Sequence, residues 1–478
     1  MNRSIIHYIL CKILEFAALF MVLPLLVGIL YREKAAASFA VVIAGCLAVS
    51  LLGRRLKPAS KVFYAKEGFV TVSLSWILLS LVGALPFYLS GEFPTFTDAL
   101  YETVSGLTTT GSTVLTDVEG LSRSIQFWRC FTHWIGGMGV LVLILAVLPL
   151  SGSYNMHLMR AESPGPSVGK LVPRVKNTAM ILYGIYIFIT FMEVIVLLFG
   201  GMDLYEALTL TFSTVGTGGF GLLNSSIGSY PMGIQAVFTV FMLLCGINFQ
   251  IYYLLLIRKP KDVLHSEELR YYLGIILLAS VLIAVNVRGF FADGFQAFHH
   301  ALFQVVSLMT TTGFATLDYD VWPEFSKAIL FLITLLGACA GSTGGGFKVS
   351  RLVILWRSVK NEISAAIHPR SIKKIHMEGR IVGEGTVRSV LVYTAIYTMI
   401  FLVSLLLLSL NEFDFVTNIS AVAANFNNVG PGFHMVGPAG NYAQFSGFSK
   451  FVLMFDMLAG RLELLPVLVL FSVKTWRE

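Results

Sequence analysis

Apolar residues gather into ten runs, near positions 8–30, 36–53, 68–90, 126–149, 178–200, 232–257, 271–287, 325–357, 387–410 and 448–472. Roughly 20 helical residues cross a bilayer's hydrocarbon core, so each run predicts a membrane-spanning helix. Four shorter amphipathic segments lie between them, each about 10 to 14 residues and too short to span. Each begins near an aspartate, in Thr97-Asp98-Ala99, Met202-Asp203-Leu204, Ala292-Asp293-Gly294 and Phe413-Asp414-Phe415. An aspartate there favours a helix N-terminus, and the partly negative C-terminal end then faces the next stretch of chain. In all four cases that stretch is a short polar turn with a glycine: Thr108-Thr109-Thr110-Gly111, Val215-Gly216-Thr217-Gly218, Thr310-Thr311-Thr312-Gly313 and Asn428-Val429-Gly430-Pro431.

The glycines Gly111, Gly218, Gly313 and Gly430 recur at roughly hundred-residue intervals, the mark of an internal repeat. Irregular backbone is tolerated at membrane depth only where it is buried or lines water, so the short segments are expected to re-enter the membrane. The predicted fold is an all-α polytopic membrane protein of about ten transmembrane helices. A two-helix leader (1–53) precedes four M1–pore helix–M2 repeats at 54–160, 161–262, 263–365 and 366–478. Two full spans plus one re-entrant loop give every repeat the same orientation, as an axis normal to the membrane requires. Backbone carbonyls of Thr109, Thr110 and Gly111, of Gly216, Thr217 and Gly218, of Thr311, Thr312 and Gly313, and of Asn428, Val429 and Gly430 would then ring that axis. Such a ring can replace the hydration shell of a monovalent cation.

The third repeat departs from the others. Its M2 contains Gly337-Ala338-Cys339-Ala340-Gly341-Ser342-Thr343-Gly344-Gly345-Gly346-Phe347-Lys348. Each glycine costs a helix about 1 kcal/mol relative to alanine, so the helix should break there into a flexible loop. Beneath a ring of carbonyls that loop (Gly341, Ser342, Thr343, Gly344, Gly345, Gly346) is a candidate gate, with Lys348 at the exit of the broken helix. Arg461, in Met457-Leu458-Ala459-Gly460-Arg461, is expensive inside a span and should face the interior. Two roles stay open for it: holding the glycine loop through its carbonyls, or raising a barrier to cations. Glu193 and Asn248 are assigned structural polar contacts.

Composition narrows the alternatives. Of 478 residues, 56% are hydrophobic and 13% charged, too apolar for a soluble fold. The net charge of +7 is spread over loops holding Arg54, Arg55, Lys57, Lys61 and Lys66; Arg160, Lys170, Arg174 and Lys176; Arg258, Lys259, Lys261 and Arg270; and Arg357, Lys360, Arg370, Lys373, Lys374 and Arg380. All four fall on one side of the predicted topology, which makes that side, and both termini, cytoplasmic. Scattered over separate loops, these charges do not make a nucleic-acid surface. Cys11, Cys46, Cys130, Cys245 and Cys339 lie far apart in or beside spans, without metal or disulfide spacing. Gly216 to Gly221 matches G-x-G-x-x-G without a preceding strand, and Gly341 to Lys348 has Phe347 where a phosphate loop needs lysine. His299-His300 lacks a third ligand, and no catalytic motif or organic-cofactor site emerges. A secondary transporter coupling K⁺ or Na⁺ to Na⁺ or H⁺ is the alternative reading. It would favour inverted halves and midplane carboxylates.

Taken as a set, Gly106-Leu107-Thr108-Thr109-Thr110-Gly111-Ser112, Thr217-Gly218-Gly219-Phe220, Met309-Thr310-Thr311-Thr312-Gly313-Phe314 and Asn427-Asn428-Val429-Gly430-Pro431-Gly432, with Gly341 to Lys348 and Gly460-Arg461-Leu462-Glu463, resemble the Trk/Ktr/HKT superfamily of potassium transporters in its TrkH-like branch. The resemblance covers nearly the whole chain. It implies K⁺ as the transported ion, selected by four filter glycines, with the glycine-rich break and Arg461 as the gate. It also implies a homodimer in the cell membrane, in contact with lipid, and a ring of RCK-like cytoplasmic nucleotide-binding regulatory subunits. The basic stretch 357–388 is a candidate docking surface for that ring. Gly216 stands where many relatives carry another residue, and a glycine there adds backbone freedom.

Overall fold

The computed structural model describes residues 2–53, 64–137, 139, 175–368 and 373–476. The second half of the predicted 126–149 span lies outside these residues. So do the basic positions 54–61, Arg160, Lys170, Arg174 and Arg370, and the boundary at 160/161.

Six of the predicted spans are single helices: Arg3–Leu30, Ala36–Gly53, Ala65–Leu89, Val175–Phe199, Glu267–Val287 and Glu384–Leu408. Run length locates them because a continuous apolar stretch satisfies its own backbone only as a helix in lipid. Their outer faces carry bare aliphatic side chains. Glu384–Leu408 buries only Val390, Ser404 and Leu408 and exposes Met399, Leu402, Val403 and Leu406. In water such a face would be a liability; in hydrocarbon it is the solvated surface. Away from the spans, a two-residue hairpin pairs His376 with Ile381 and Met377 with Arg380.

The M2 runs behave differently. The sequence predicts a break only in the third repeat, yet two more M2 segments are interrupted. The second comprises Met232–Cys245 and Phe249–Leu256, bent by 87°. Asn248 causes this bend: its side chain accepts from the Gln250 N–H at 2.9 Å and caps the second piece. The fourth comprises Gly447–Arg461 and Leu465–Phe471, separated by Glu463 and Leu464 at φ 62° and 63°. The third has Glu324–Leu336 and Val349–Ile367 on either side of the glycine-rich loop.

The four short helices are Phe96–Leu107, Leu204–Val215, Gly294–Met309 and Phe415–Phe426. At 1.5 Å per residue, 12 residues reach about 18 Å, little over half a bilayer core. Asp203, Asp293 and Asp414 cap the last three, accepting from Tyr205, Gln296 and Thr417 N–H. The first differs: Thr95 is its cap, and Asp98 lies in the first turn, where it pairs with Lys450 at 2.7 Å.

Candidate functional site

Each short helix ends in the same sequence of backbone bonds. The Thr110, Gly218, Thr312 and Val429 N–H groups reach back to the carbonyls of Ser105, Ser213, Ser307 and Ala424 at 2.8, 2.8, 2.9 and 2.8 Å. The residue before each of these is left-handed: Thr109, Thr217, Thr311 and Asn428 have φ of 56°, 56°, 59° and 55°. This is a helix-ending motif usually given to glycine, held here by side chains at a cost of about 1–2 kcal/mol apiece. One residue beyond, Gly111, Gly219, Gly313 and Gly430 have φ of 81°, 80°, 82° and 95°.

The second turn is therefore displaced by one residue from the sequence reading. Gly219, not Gly218, corresponds to Gly111, and Gly218 corresponds to Thr110. Nor does Gly216 use any added freedom, since its φ is an ordinary −69°.

The four glycines form a closed circuit. A Cβ on Gly111 would overlap the Gly218 carbonyl oxygen, one on Gly219 that of Thr312, and one on Gly313 that of Val429. A Cβ on Gly430 would stand 2.6 Å from the Thr110 oxygen, and the circuit returns to its start. Glycine is thus required twice at each position, by backbone conformation and by the neighbour's carbonyl. All four glycines also line one cavity of about 130 Å³, whose rim includes Ser112, Phe220, Ala315 and Pro431. Beside that cavity, Asn224 ties the first two repeats together by bonding Asp117 and the Val118 N–H. The Asn224 amide and the Glu119 N–H hold the Asp117 carboxyl below its ordinary range.

Against the opposite side of the ring lies the glycine-rich loop, which touches the second, third and fourth repeats directly and the first through Arg461. Gly345 N–H donates to Thr311 Oγ1 at 2.7 Å, and a Cβ on Gly345 would meet the Asn427 carbonyl at 2.6 Å. Thr343 Oγ1 donates to the Cys245 carbonyl at 3.2 Å, and Phe249 N–H donates to the Gly341 carbonyl at 3.0 Å. Arg461 donates to the carbonyls of Thr343 (2.8 Å), Gly136 (2.5 Å) and Gly137 (2.6 Å), bridging the loop to the first M2. Of the two roles left open for it, this geometry matches the carbonyl-holding one. Glu463 pairs with Arg351.

Lys348 does not mark an exit. It is buried, left-handed at φ 80°, and folds back to donate to the Gly344 carbonyl. The Glu268 carboxylate brackets both ends of the loop, accepting from Ala340 N–H at 2.8 Å and Ser350 N–H at 3.1 Å. Nothing local in the sequence marks Glu268, because its partners lie 72 and 82 residues away. Asn425 is another residue that sequence reasoning missed: Ser112 Oγ and Tyr101 OH donate to its carbonyl oxygen at 2.8 and 3.3 Å. The polar neighbour of Glu193 is Thr214. The two Glu193 oxygens are buried without a hydrogen-bond partner among the described residues, and the Thr214 hydroxyl donates to Leu210. His299 and His300 part company, bonding Gln235 and Thr316.

An all-α membrane chain that brings four re-entrant turns to one cavity defines a membrane transport protein. The TrkH family model, described as a cation transport protein, matches residues 36–291 and 292–477, and the chain belongs to that family. It is 36% identical over 469 residues to the Trk system potassium uptake protein TrkH of Salmonella typhimurium, covering 96% of each chain. It is 35% identical over 489 residues to the Trk system potassium uptake protein TrkG of Escherichia coli (strain K12), covering 100% of both. The crystal structure of the potassium transporter TrkH from Vibrio parahaemolyticus matches over 100% of each chain, with a TM-score of 0.90 at 31% identity.

Proposed function

We propose that the chain is the pore-forming subunit of a potassium uptake system, and that K⁺ passes through the ring of four turns. The observation that carries this reading is the closed circuit of Gly111, Gly219, Gly313 and Gly430 around one cavity. Carbonyls of 109–111, 217–219, 311–313 and 428–430 replace water around the ion, with the C-terminal ends of the four short helices adding negative potential. The division into a leader (1–53) and four repeats belongs to the same reading, as does a cytoplasmic location for both termini, supported by the basic loops.

Residues 341–346, Lys348 and Arg461 form the gate. Opening releases the loop from Arg461 and from Thr311, driven by a cytoplasmic nucleotide-binding subunit docked near 357–388. Two copies of the chain associate in the membrane, each with its own pore.

Flux in proteoliposomes driven by K⁺ or Na⁺ gradients tests the reading, with Gly111→Ser as comparator. A K⁺ preference that is lost in the variant supports it; equal flux of both ions in the unmodified protein rejects the selectivity. Shortening 341–346 should raise K⁺ flux, and unchanged flux in folded protein sinks the gate.

A further inference from the structure

The second turn is the odd member of the ring. Where the others carry Thr110, Thr312 and Val429, it has Gly218; where they carry Thr108, Thr310 and Asn427, it has Gly216. Neither glycine has a positive φ, so backbone conformation does not explain them. Space does. A Cβ on Gly218 would fall inside the imidazole of His133, and one on Gly216 would overlap the His133 carbonyl.

His133 belongs to the first M2 helix, Arg123–Gly137, and is fully buried. Its Nδ1 lies 2.8 Å from the Gly106 carbonyl, and its Nε2 accepts the Phe220 N–H at 3.3 Å. A carbonyl on one nitrogen and an N–H on the other require the neutral ring with its proton on Nδ1. The ring therefore links the end of the first short helix to the backbone just past Gly219. It also packs on the Phe220 side chain, with centroids 4.3 Å apart, while the Arg129 guanidinium covers that phenyl ring at 4.2 Å.

The first and third turns brace themselves from within. Thr108 and Thr110 hydroxyls pair at 2.8 Å, and Thr310 and Thr312 repeat the pair at 2.8 Å. The second turn has no such pair, and the imidazole stands in its place.

We infer that His133 is a positioning residue for the second turn, supplying from the neighbouring repeat the brace that Gly216 and Gly218 lack, and that it thereby sets ion preference. This rests on the reading of the turns as the selectivity filter. The imidazole never touches the ion; it acts through the Phe220 N–H and the carbonyls of 217–219.

The test uses full-length protein in proteoliposomes with K⁺ and Na⁺ gradients, comparing the unmodified chain, Gly111→Ser, His133→Ala, Gly218→Thr and the double variant His133→Ala/Gly218→Thr. Each protein is checked for a monodisperse profile in detergent. The expected result is a K⁺ preference about tenfold weaker in His133→Ala, equivalent to about 1.4 kcal/mol. In the double variant the threonine occupies the vacated space, and the preference returns to within about threefold of the original. Gly218→Thr alone should lose preference or fail to fold, in which case the other two variants decide. Unchanged preference in His133→Ala beside a lost preference in Gly111→Ser overturns the inference and spares the filter. A double variant no better than His133→Ala overturns the exchange of space. Unchanged preference in Gly111→Ser overturns the filter reading, and this inference with it.

Discussion

The ring of turns and the M2 segments behind it are built on opposite rules. Around the ring the backbone repeats: the left-handed residues fall between φ 55° and 59°, and the glycines after them between 80° and 95°. Below it no two breaks agree. One M2 bends by 87° around Asn248, another opens into the loop from Gly337 to Lys348, and a third turns on Glu463 and Leu464. Four backbones that must abut one another's carbonyls cannot diverge. M2 segments that need only satisfy their own exposed groups can. Uniformity marks where the repeats share one task, and divergence marks where a single repeat can acquire a task of its own.

Substitutions that cross this divide should differ in kind. The largest effect is expected from Gly313→Ala. The new Cβ sits at φ 82° and overlaps the Val429 carbonyl, so K⁺ flux should fall at least about tenfold and the folded protein should lose about 2 kcal/mol or more, read by flux and by thermal unfolding in detergent. The same loss is expected at Gly111, Gly219 and Gly430, because the ring treats them alike. Next comes Arg461→Gln, which removes most of the donors that hold Thr343, Gly136 and Gly137. Breaking charged hydrogen bonds of this kind costs about 1.5–3 kcal/mol, so flux should rise by about tenfold while K⁺ preference stays unchanged. A variant that changed preference but not flux would move Arg461 out of the gate and into the ring.

Thr311→Val should have a smaller effect in the same direction. It leaves the Gly345 N–H without its acceptor and loosens the one hydrogen bond described from loop to ring, for a rise of about two- to fivefold in flux. The smallest effect belongs to Glu268→Gln. The amide oxygen can still accept from Ala340 and Ser350, so only the charge assistance is lost and flux should change by no more than about threefold. Should Glu268→Gln exceed Arg461→Gln, the loop would be controlled from its ends rather than from its middle.

The spans and the existence of four turns are legible in the chain because both rest on local signals, run length and glycine spacing. The register of the second turn is not, since Gly216, Gly218 and Gly219 offer three candidates within four residues. The bond from Gly218 N–H to Ser213 and the positive φ of Gly219 distinguish them, and both are properties of the folded backbone. The extra M2 breaks leave faint marks, a capping Asn248 and a proline at 466, inside otherwise helical patterns. Lys348 misleads because a lysine ending an apolar run normally meets water. Its burial depends on the Gly344 carbonyl that the loop turns back toward it. Glu268 and His133 are silent for a related reason: each acts on a segment far away in sequence, and no spacing rule reaches that far.

Three of the four joints in the ring lie between repeats that the chain itself strings together in order; the joint between the fourth and the first does not. It carries its own fasteners: Asn428 to Thr110 at 3.0 Å, Ser112 to Asn425 at 2.8 Å, Tyr442 N–H to the Thr113 carbonyl at 2.8 Å, and Lys450 to Asp98. A ribosome delivers the first repeat long before the fourth. Throughout that interval Asp98, Thr110 and Ser112 wait in the membrane without the partners they will finally hold. The ring can be completed only at the end of synthesis, and a chain that stalls before its last repeat leaves the first repeat's side of this joint uncovered, a lesion that membrane quality control can recognise.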